Sequence, residues 1–256
     1  MKTSFKIFLL IVINIAFINN GLKAMPIKAD SSKISSEQRD LKGFNAIEVD
    51  GSLDVNLVQG TNELVTVNAP AEKIFKYIKT EVHNGVLKIF IEKNNEFNWG
   101  NWGHFDLRNP GGRPNKIMVE VRIKEIKSIQ ASGSSNIYFK NSINCEHINL
   151  NISGSASASG MIKAKSISGS LQASCGVNFS GRSDDVNLMV SGSAVFNANN
   201  LLTDNITIDL QGSSTASIIA THIIIAHLNG NSSLTYTGSA KKIELYKKGN
   251  AIVRRI

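Results

Sequence analysis

Acidic side chains are scarce where the sequence is most regular. Between residues 129 and 238 they are Glu146, Asp184, Asp185, Asp204 and Asp209. Polysaccharide lyases and hydrolases need clustered carboxylates, often with calcium or a basic partner, so this scarcity argues against such chemistry. Asp184 and Asp185 adjoin in Gly181-Arg-Ser-Asp-Asp185, which reads as a solvated loop. The histidines His83, His104, His147, His222 and His227 form no pair at metal-ligand spacing. The Ser-Gly-Ser phrases lack the Lys-Ser/Thr ending of a phosphate loop, and no Ser-His-Asp or Cys-His constellation can be placed. The sequence therefore assigns no catalytic residue, no cofactor-binding residue and no metal ligand. A concentrated basic stripe with aromatic partners is also missing, which argues against nucleic acid.

Long apolar runs are missing as well. The one candidate extends from Ile7 to Phe17 and is interrupted by Asn14. That is too short to cross a bilayer. With the basic start Met1-Lys-Thr-Ser-Phe-Lys6 before it and Ala24 after it, the run reads as a secretory signal peptide over 1–24. No cysteine follows to suggest a lipid anchor, and no membrane span is expected in the mature protein. Cleavage after Ala24 would remove Lys2, Lys6 and Lys23 and no acid, which lowers the net charge from +8 to +5. The expected location is the periplasm, the cell surface or the medium.

What the chain does contain is a repeated phrase. It is written six times within 129–238, with central positions Gly133, Gly154, Cys175, Gly192, Gly212 and Gly230. The steps between centres run 21, 21, 17, 20 and 18. Four and two residues before each centre stand apolar or small residues, such as Leu150 and Ile152 or Leu188 and Val190, and the odd offsets are mostly polar. A period of two marks strands with one buried face. A phrase that occurs once per period cannot pair locally, so each strand must pair with its copy in the next turn. The fold class this predicts is all-β, a right-handed parallel β-helix, with Leu150 stacked over Leu171 and Leu171 over Leu188. The two cysteines, Cys145 and Cys175, fall at different phases of the coil and are expected to stay unpaired.

Residues 25–40 are polar and aperiodic and read as a flexible lead; a single β-helix domain is expected over 41–256. Gly51 carries apolar residues at the same offsets as the later centres and reads as a seventh, outlying copy. Residues 69–78 suggest a short helical turn, and Asn84-Gly85 between two apolar strands is a hairpin signal. Ile243-Glu-Leu-Tyr and Ala251-Ile-Val should form and cap the last coil. The segment 94–114 breaks the repeat logic and holds both tryptophans. Its Phe97, Trp99, Trp102, His104 and Phe105 are the candidate partner-binding residues, since aromatic faces on a loop can stack on sugars or anchor a protein. The opposing reading makes the tryptophans a lid on the coil.

Arg39-Asp-Leu-Lys-Gly-Phe-Asn-Ala-Ile-Glu-Val-Asp-Gly-Ser-Leu-Asp-Val-Asn-Leu-Val-Gln-Gly60 resembles the opening of the bacterial "putative auto-transporter adhesin, head GIN domain" family. Thr80-Glu-Val-His-Asn-Gly-Val-Leu-Lys-Ile89, the Ser-Gly-Ser repeats and Leu234-Thr-Tyr-Thr-Gly238 resemble its later blocks, so the likeness covers about 39–253. Cys175 in place of a glycine and the aromatic segment are departures. The resemblance implies an exported, non-enzymatic β-helix in adhesion or interaction at the cell envelope. Its partner would be a glycan or an envelope protein. A carbohydrate-active enzyme and a passive structural component of the envelope are the alternatives.

Overall fold

The computed structural model describes residues 34–92 and 117–256. It is 70% strand and 3% helix, a β-solenoid of about 7 turns built from stacked parallel coils of about 19 residues. The N-terminal elements are β1 (Ser35–Arg39), β2 (Ala46–Asp50), β3 (Asp54–Gln59), β4 (Leu64–Ala69), a 3-10 helix (Glu72–Tyr77), β5 (Ile78–His83) and β6 (Val86–Ile91). The body follows as β7 (Met118–Ile123), β8 (Ser128–Ala131), β9 (Asn136–Phe139), β10 (Ile143–Ile152), β11 (Ser157–Leu171), β12 (Gly176–Val190), β13 (Val195–Gly212) and β14 (Thr215–Gly230). It closes with β15 (Ser233–Thr237), β16 (Lys242–Gly249) and β17 (Ile252–Arg255).

The repeated phrase is a corner between two walls of the coil. Gly51, Gly133, Gly154, Gly192, Gly212, Gly230 and Gly249 all have left-handed φ, from 70° to 114°. A side chain there would also strike the coil beneath. A Cβ on Gly133 would lie 2.6 Å from the Gly51 carbonyl oxygen, and one on Gly192 2.8 Å from that of Ala173. The corners are tied vertically by backbone bonds: Ser155 N donates to Gly133 O at 2.8 Å, and Ser193 N to Ala173 O at 2.7 Å. Glycine is thus favoured at the corners by turn conformation and close coil contact.

The third copy is framed differently from the sequence expectation. Its corner is Ala173, with φ 67°, not Cys175. The steps become 21, 19, 19, 20 and 18, closer to the solenoid period. Leu171 therefore pairs with Ile152 and Val190, while Leu150 and Leu188 meet Gly169. The expected Leu150–Leu171–Leu188 ladder is corrected accordingly. A slip of two residues preserves the inward face, which is why the alternation concealed it. Ala173 itself is exposed, whereas the other residues two and four before the centres are buried. An L-residue held in the left-handed region costs roughly 1 kcal/mol more than glycine. Ala173→Gly should raise stability by about that amount, less the entropy glycine adds to the unfolded chain. A urea denaturation midpoint that does not rise would show the corner to be unstrained.

The core is a set of vertical ladders. Val49, Ala131, Ile152, Leu171, Val190, Leu210 and Leu228 form one, each buried. Just past the corner, Ser135, Ala156, Cys175, Ala194, Ser214 and Ser232 form another of small buried residues. Cys175 belongs there, its thiol directed at the Ile152 carbonyl at 3.3 Å. Cys145 stands on a different ladder, opposite Ala164, and both thiols are free. Burial, with Glu125 and Glu146 adding to it, pushes the Cys145 thiol up to about 11, so it stays protonated and unreactive at neutral pH. Phe139 and Phe179 stack at 5.3 Å across Gly160, whose missing side chain leaves room for both rings.

Coil order and chain order differ at the N-terminal end. The corner of Gly51 lies directly beneath that of Gly133, as a seventh copy, with β2 on β8 and β3 on β9. Below it lie β6, paired with β2, and β7, paired with β3. The described residues 60–92 and 117–127 thus fold back to form the end of the stack. β5 and β6 make the expected hairpin at Asn84 (φ 51°) and Gly85 (φ 78°), and the helical turn is the 3-10 helix. Residues 35–39, expected in a flexible lead, instead form β1, antiparallel to β4. Backbone pairing secures this edge strand, and the Arg39 guanidinium donates to Phe75 O, Ile78 O and Thr80 Oγ1.

Candidate functional site

The sequence-predicted site residues Phe97, Trp99, Trp102, His104 and Phe105 lie outside the described residues. The described residues on either side are Glu92 and Ile117. The chain leaves β6 at Glu92, whose N–H donates to Tyr77 O, and returns at Ile117, whose carbonyl accepts from Asp54 N. β6 and β7 pair with β2 and β3, which are joined by the Gly51 corner. The described chain thus leaves β6 and resumes at β7 beneath the two strands that flank the Gly51 corner.

On the described outer walls, polar side chains bond along the coil axis. Ser170 Oγ donates to Asn151 Oδ1 at 3.2 Å, Ser157 Oγ to Asn136 Oδ1 at 2.7 Å, and Asn136 Nδ2 to Asp54 Oδ1 at 2.8 Å. The acids join this pattern. Asp184 and Asp185 lie within the continuous β12, not in the expected loop, and Asp185 accepts from Asn205 Nδ2 at 2.9 Å. Asp204 ties three coils together: it accepts from Thr221 Oγ1 at 2.8 Å and from Arg182 Nη2 at 2.7 Å. The Thr221 hydrogen bond and the charges of Arg182 and His222 hold its carboxyl below the usual carboxylate range. With its oxygens occupied, Asp204 serves as a staple. Among the described residues no group of three or more His, Cys, Asp or Glu is placed to hold a metal.

A distinct arrangement lies near the C-terminal end. Three residues before each corner, the outward ladder runs Asn151, Ser170, Met189, Asp209, His227 and Tyr246. His227 Nδ1 donates to Asp209 Oδ1 at 2.7 Å, which fixes the imidazole ring. Tyr246 stacks on that ring at 4.9 Å with 16° between planes. These residues line a groove of about 300 Å³ with Gln211, Asn229 and Lys248. The Tyr246 side of the stack is the end of the ladder, so one ring face is left open and the residue is 53% exposed. The groove, which Lys247 also lines, thus offers an apolar ring, a carboxylate, two amides and two lysines. A larger groove of about 660 Å³ lies beside the β5–β6 hairpin, with Glu48, Glu81, His83 and Lys88 in its lining. Lys88 pairs with Glu48 at 3.1 Å and His83 with Glu81 at 3.0 Å, and Asp50 accepts from Ser132 Oγ at 2.7 Å.

Sequence reasoning passed over the Asp209–His227–Tyr246 ladder. The signal was present: all three sit three before a corner glycine, at Gly212, Gly230 and Gly249. Reading it required Gly249 to be recognised as a further corner.

Solved structures share the fold. A putative adhesin from Bacteroides fragilis is 18% identical, with a TM-score of 0.77 over 88% of this chain and 98% of its own. A putative lipid binding protein and a putative adhesin, both from Parabacteroides distasonis, are each 20% identical, with TM-scores of 0.65 and 0.66 over 88% of this chain and 97% of their own. No curated protein matches. Residues 43–240 match the family described as "Putative auto-transporter adhesin, head GIN domain". With the stacked corners and ladders running through that span, the chain belongs to this family.

Proposed function

We propose that the protein is a non-enzymatic, exported adhesin-type module of the cell envelope, and that the groove at Tyr246 binds a glycan. The observation that carries the reading is the open Tyr246 ring, braced by His227 and flanked by Asp209, Gln211, Asn229 and Lys248. A sugar presents an apolar ring face and a rim of hydroxyls. An aromatic face meets the first, and amide and carboxylate groups meet the second. Family membership and the adhesin neighbours support the adhesin reading. Export rests on the signal-like segment 1–24. Phe97, Trp99, Trp102, His104 and Phe105 are proposed as a second contact, on their aromatic content alone.

A glycan array tests both parts. His227→Ala/Tyr246→Ala should lose binding at least tenfold, since an aromatic stack contributes on the order of 1–2 kcal/mol beyond its burial. Both side chains are exposed, so the melting temperature should hardly move. Undiminished binding in this variant sinks the groove. Trp99→Ala/Trp102→Ala should also weaken binding with unfolding unchanged. Early melting of that variant would instead make the tryptophans a structural lid.

A further inference from the structure

The charge of this protein is concentrated at one end. Residues 25–240 carry 19 basic and 19 acidic side chains, whereas residues 241–256 carry six basic ones and a single acid, Glu244. Those six, Lys241, Lys242, Lys247, Lys248, Arg254 and Arg255, are all exposed. Lys242 pairs with Glu244 at 2.9 Å, which raises the lysine pKa and lowers that of the acid. Five cations are left with no acidic side chain of their own coil to neutralise them.

The same coil exposes apolar surface. Leu245 is 36% exposed, Ile252 49% and Ile256 76%. For Leu245 the reason lies in its ladder, which ends here on Ala226, with Lys247 at the level of Leu228 in the next; Ile252 stands on the outward wall, level with Ser233. β16 pairs with β14 and β17 with β15, so each offers an unpaired backbone edge to solvent. An edge of this kind invites another strand, but a second copy placed end to end would bring like charge onto like charge. A soluble polyanion would satisfy the cations and leave the aliphatic side chains in water. A surface that is anionic at its rim and apolar just below satisfies both.

We propose that the last coil, residues 241–256, docks on an anionic lipid surface, with its cations at the headgroup phosphates and Leu245, Ile252 and Ile256 entering the interface. The solenoid then stands end-on, with the N-terminal coils directed away from the lipid. The proposal does not depend on glycan binding: the open Tyr246 face belongs to the same coil, so lipid docking and glycan binding at Tyr246 exclude one another, and the test leaves His227 and Tyr246 intact.

The test is co-sedimentation of the full chain with vesicles of phosphatidylcholine mixed with phosphatidylglycerol, and with vesicles of phosphatidylcholine alone. Wild type should sediment with the mixed vesicles much more than with the neutral ones. Lys241→Gln/Lys242→Gln/Arg254→Gln/Arg255→Gln should cut binding to the mixed vesicles at least about tenfold, since each cation near such a surface adds to the attraction. Circular dichroism and an unchanged melting temperature would show that the variant is folded. Ile252→Ser/Ile256→Ser should bind like wild type at low salt and detach first as salt rises, because the apolar contribution is not screened. Equal binding of wild type and the quadruple variant overturns the proposal. So does binding of the Ile252/Ile256 variant that matches wild type at every salt concentration, which would make the end a general polyanion site. Concentration-dependent self-association without vesicles, lost in the quadruple variant, would assign the end to a second copy instead.

Discussion

Val190→Asp should unfold the solenoid or leave it at the edge of unfolding. Val190 is fully buried, stacked between Leu171 below and Leu210 above in an unbroken apolar ladder. No basic side chain stands on that ladder at the neighbouring coils, and an aspartate there would have to stay charged without a partner or take up a proton. Either course costs several kcal/mol, roughly 4 or more, against a total stability of about 5–15 kcal/mol. Val190→Ala removes two methyl groups and should cost about 1–2 kcal/mol, which separates lost packing from buried charge. Chemical denaturation followed by circular dichroism measures both. Solenoid coils contact only their neighbours, so the damage should begin at the coils around residue 190. Hydrogen exchange would show β11 to β13 opening before the N-terminal coils. An unchanged midpoint for Val190→Asp would contradict the inward ladder.

Gly169→Ala should be nearly as damaging, though it adds one methyl group. Gly169 pairs with Leu150 and Leu188, and its φ is 136°. A Cβ there would lie 1.9 Å from the Leu150 carbonyl oxygen. Backbone in the coil beneath cannot yield as a flexible side chain would. The coils must separate locally or the chain must leave its φ region, and the ladder hydrogen bonds are lost in either case. The expected cost is roughly 3–5 kcal/mol. Ser168→Ala, one residue away and on the outward face, makes the control and should change stability by about 0.5 kcal/mol or less. Comparable melting temperatures for the two variants would show that the coils at Gly169 are not in close contact.

The two substitutions also mark what could be read before the coordinates. Val190 lies in a strict alternation, and alternation with a period near 20 is sufficient for parallel stacking, because such strands have no local partner. Gly169 lies in no repeated phrase: the other copies carry Leu150, Leu188 and Ile208 at its level. Its role comes from contact with Leu150, a full coil earlier in the chain, and no local pattern contains that contact. The third corner failed for a related reason. Ala173 and Cys175 are both small and two residues apart, so the period-two pattern fits either one, and the stacking of Ala173 between Gly154 and Gly192 decides between them.

The candidate surface divides in the same way. Ser and Asn on the outward positions were legible, as was the aromatic content of 94–114. That Asp209, His227 and Tyr246 meet was not, because each is a full coil from the next and they become neighbours only through coil register. The basic residues of 241–256 adjoin as pairs in the sequence, but their shared position on one terminal coil comes from the structure. By itself the sequence determined the solenoid and its inward face, since these follow from periodicity. Only the tertiary structure decided the order of the coils at the N-terminal end, the frame of the third corner and which outward side chains touch. Those depend on register between segments distant in sequence, which is set by packing and close backbone approach.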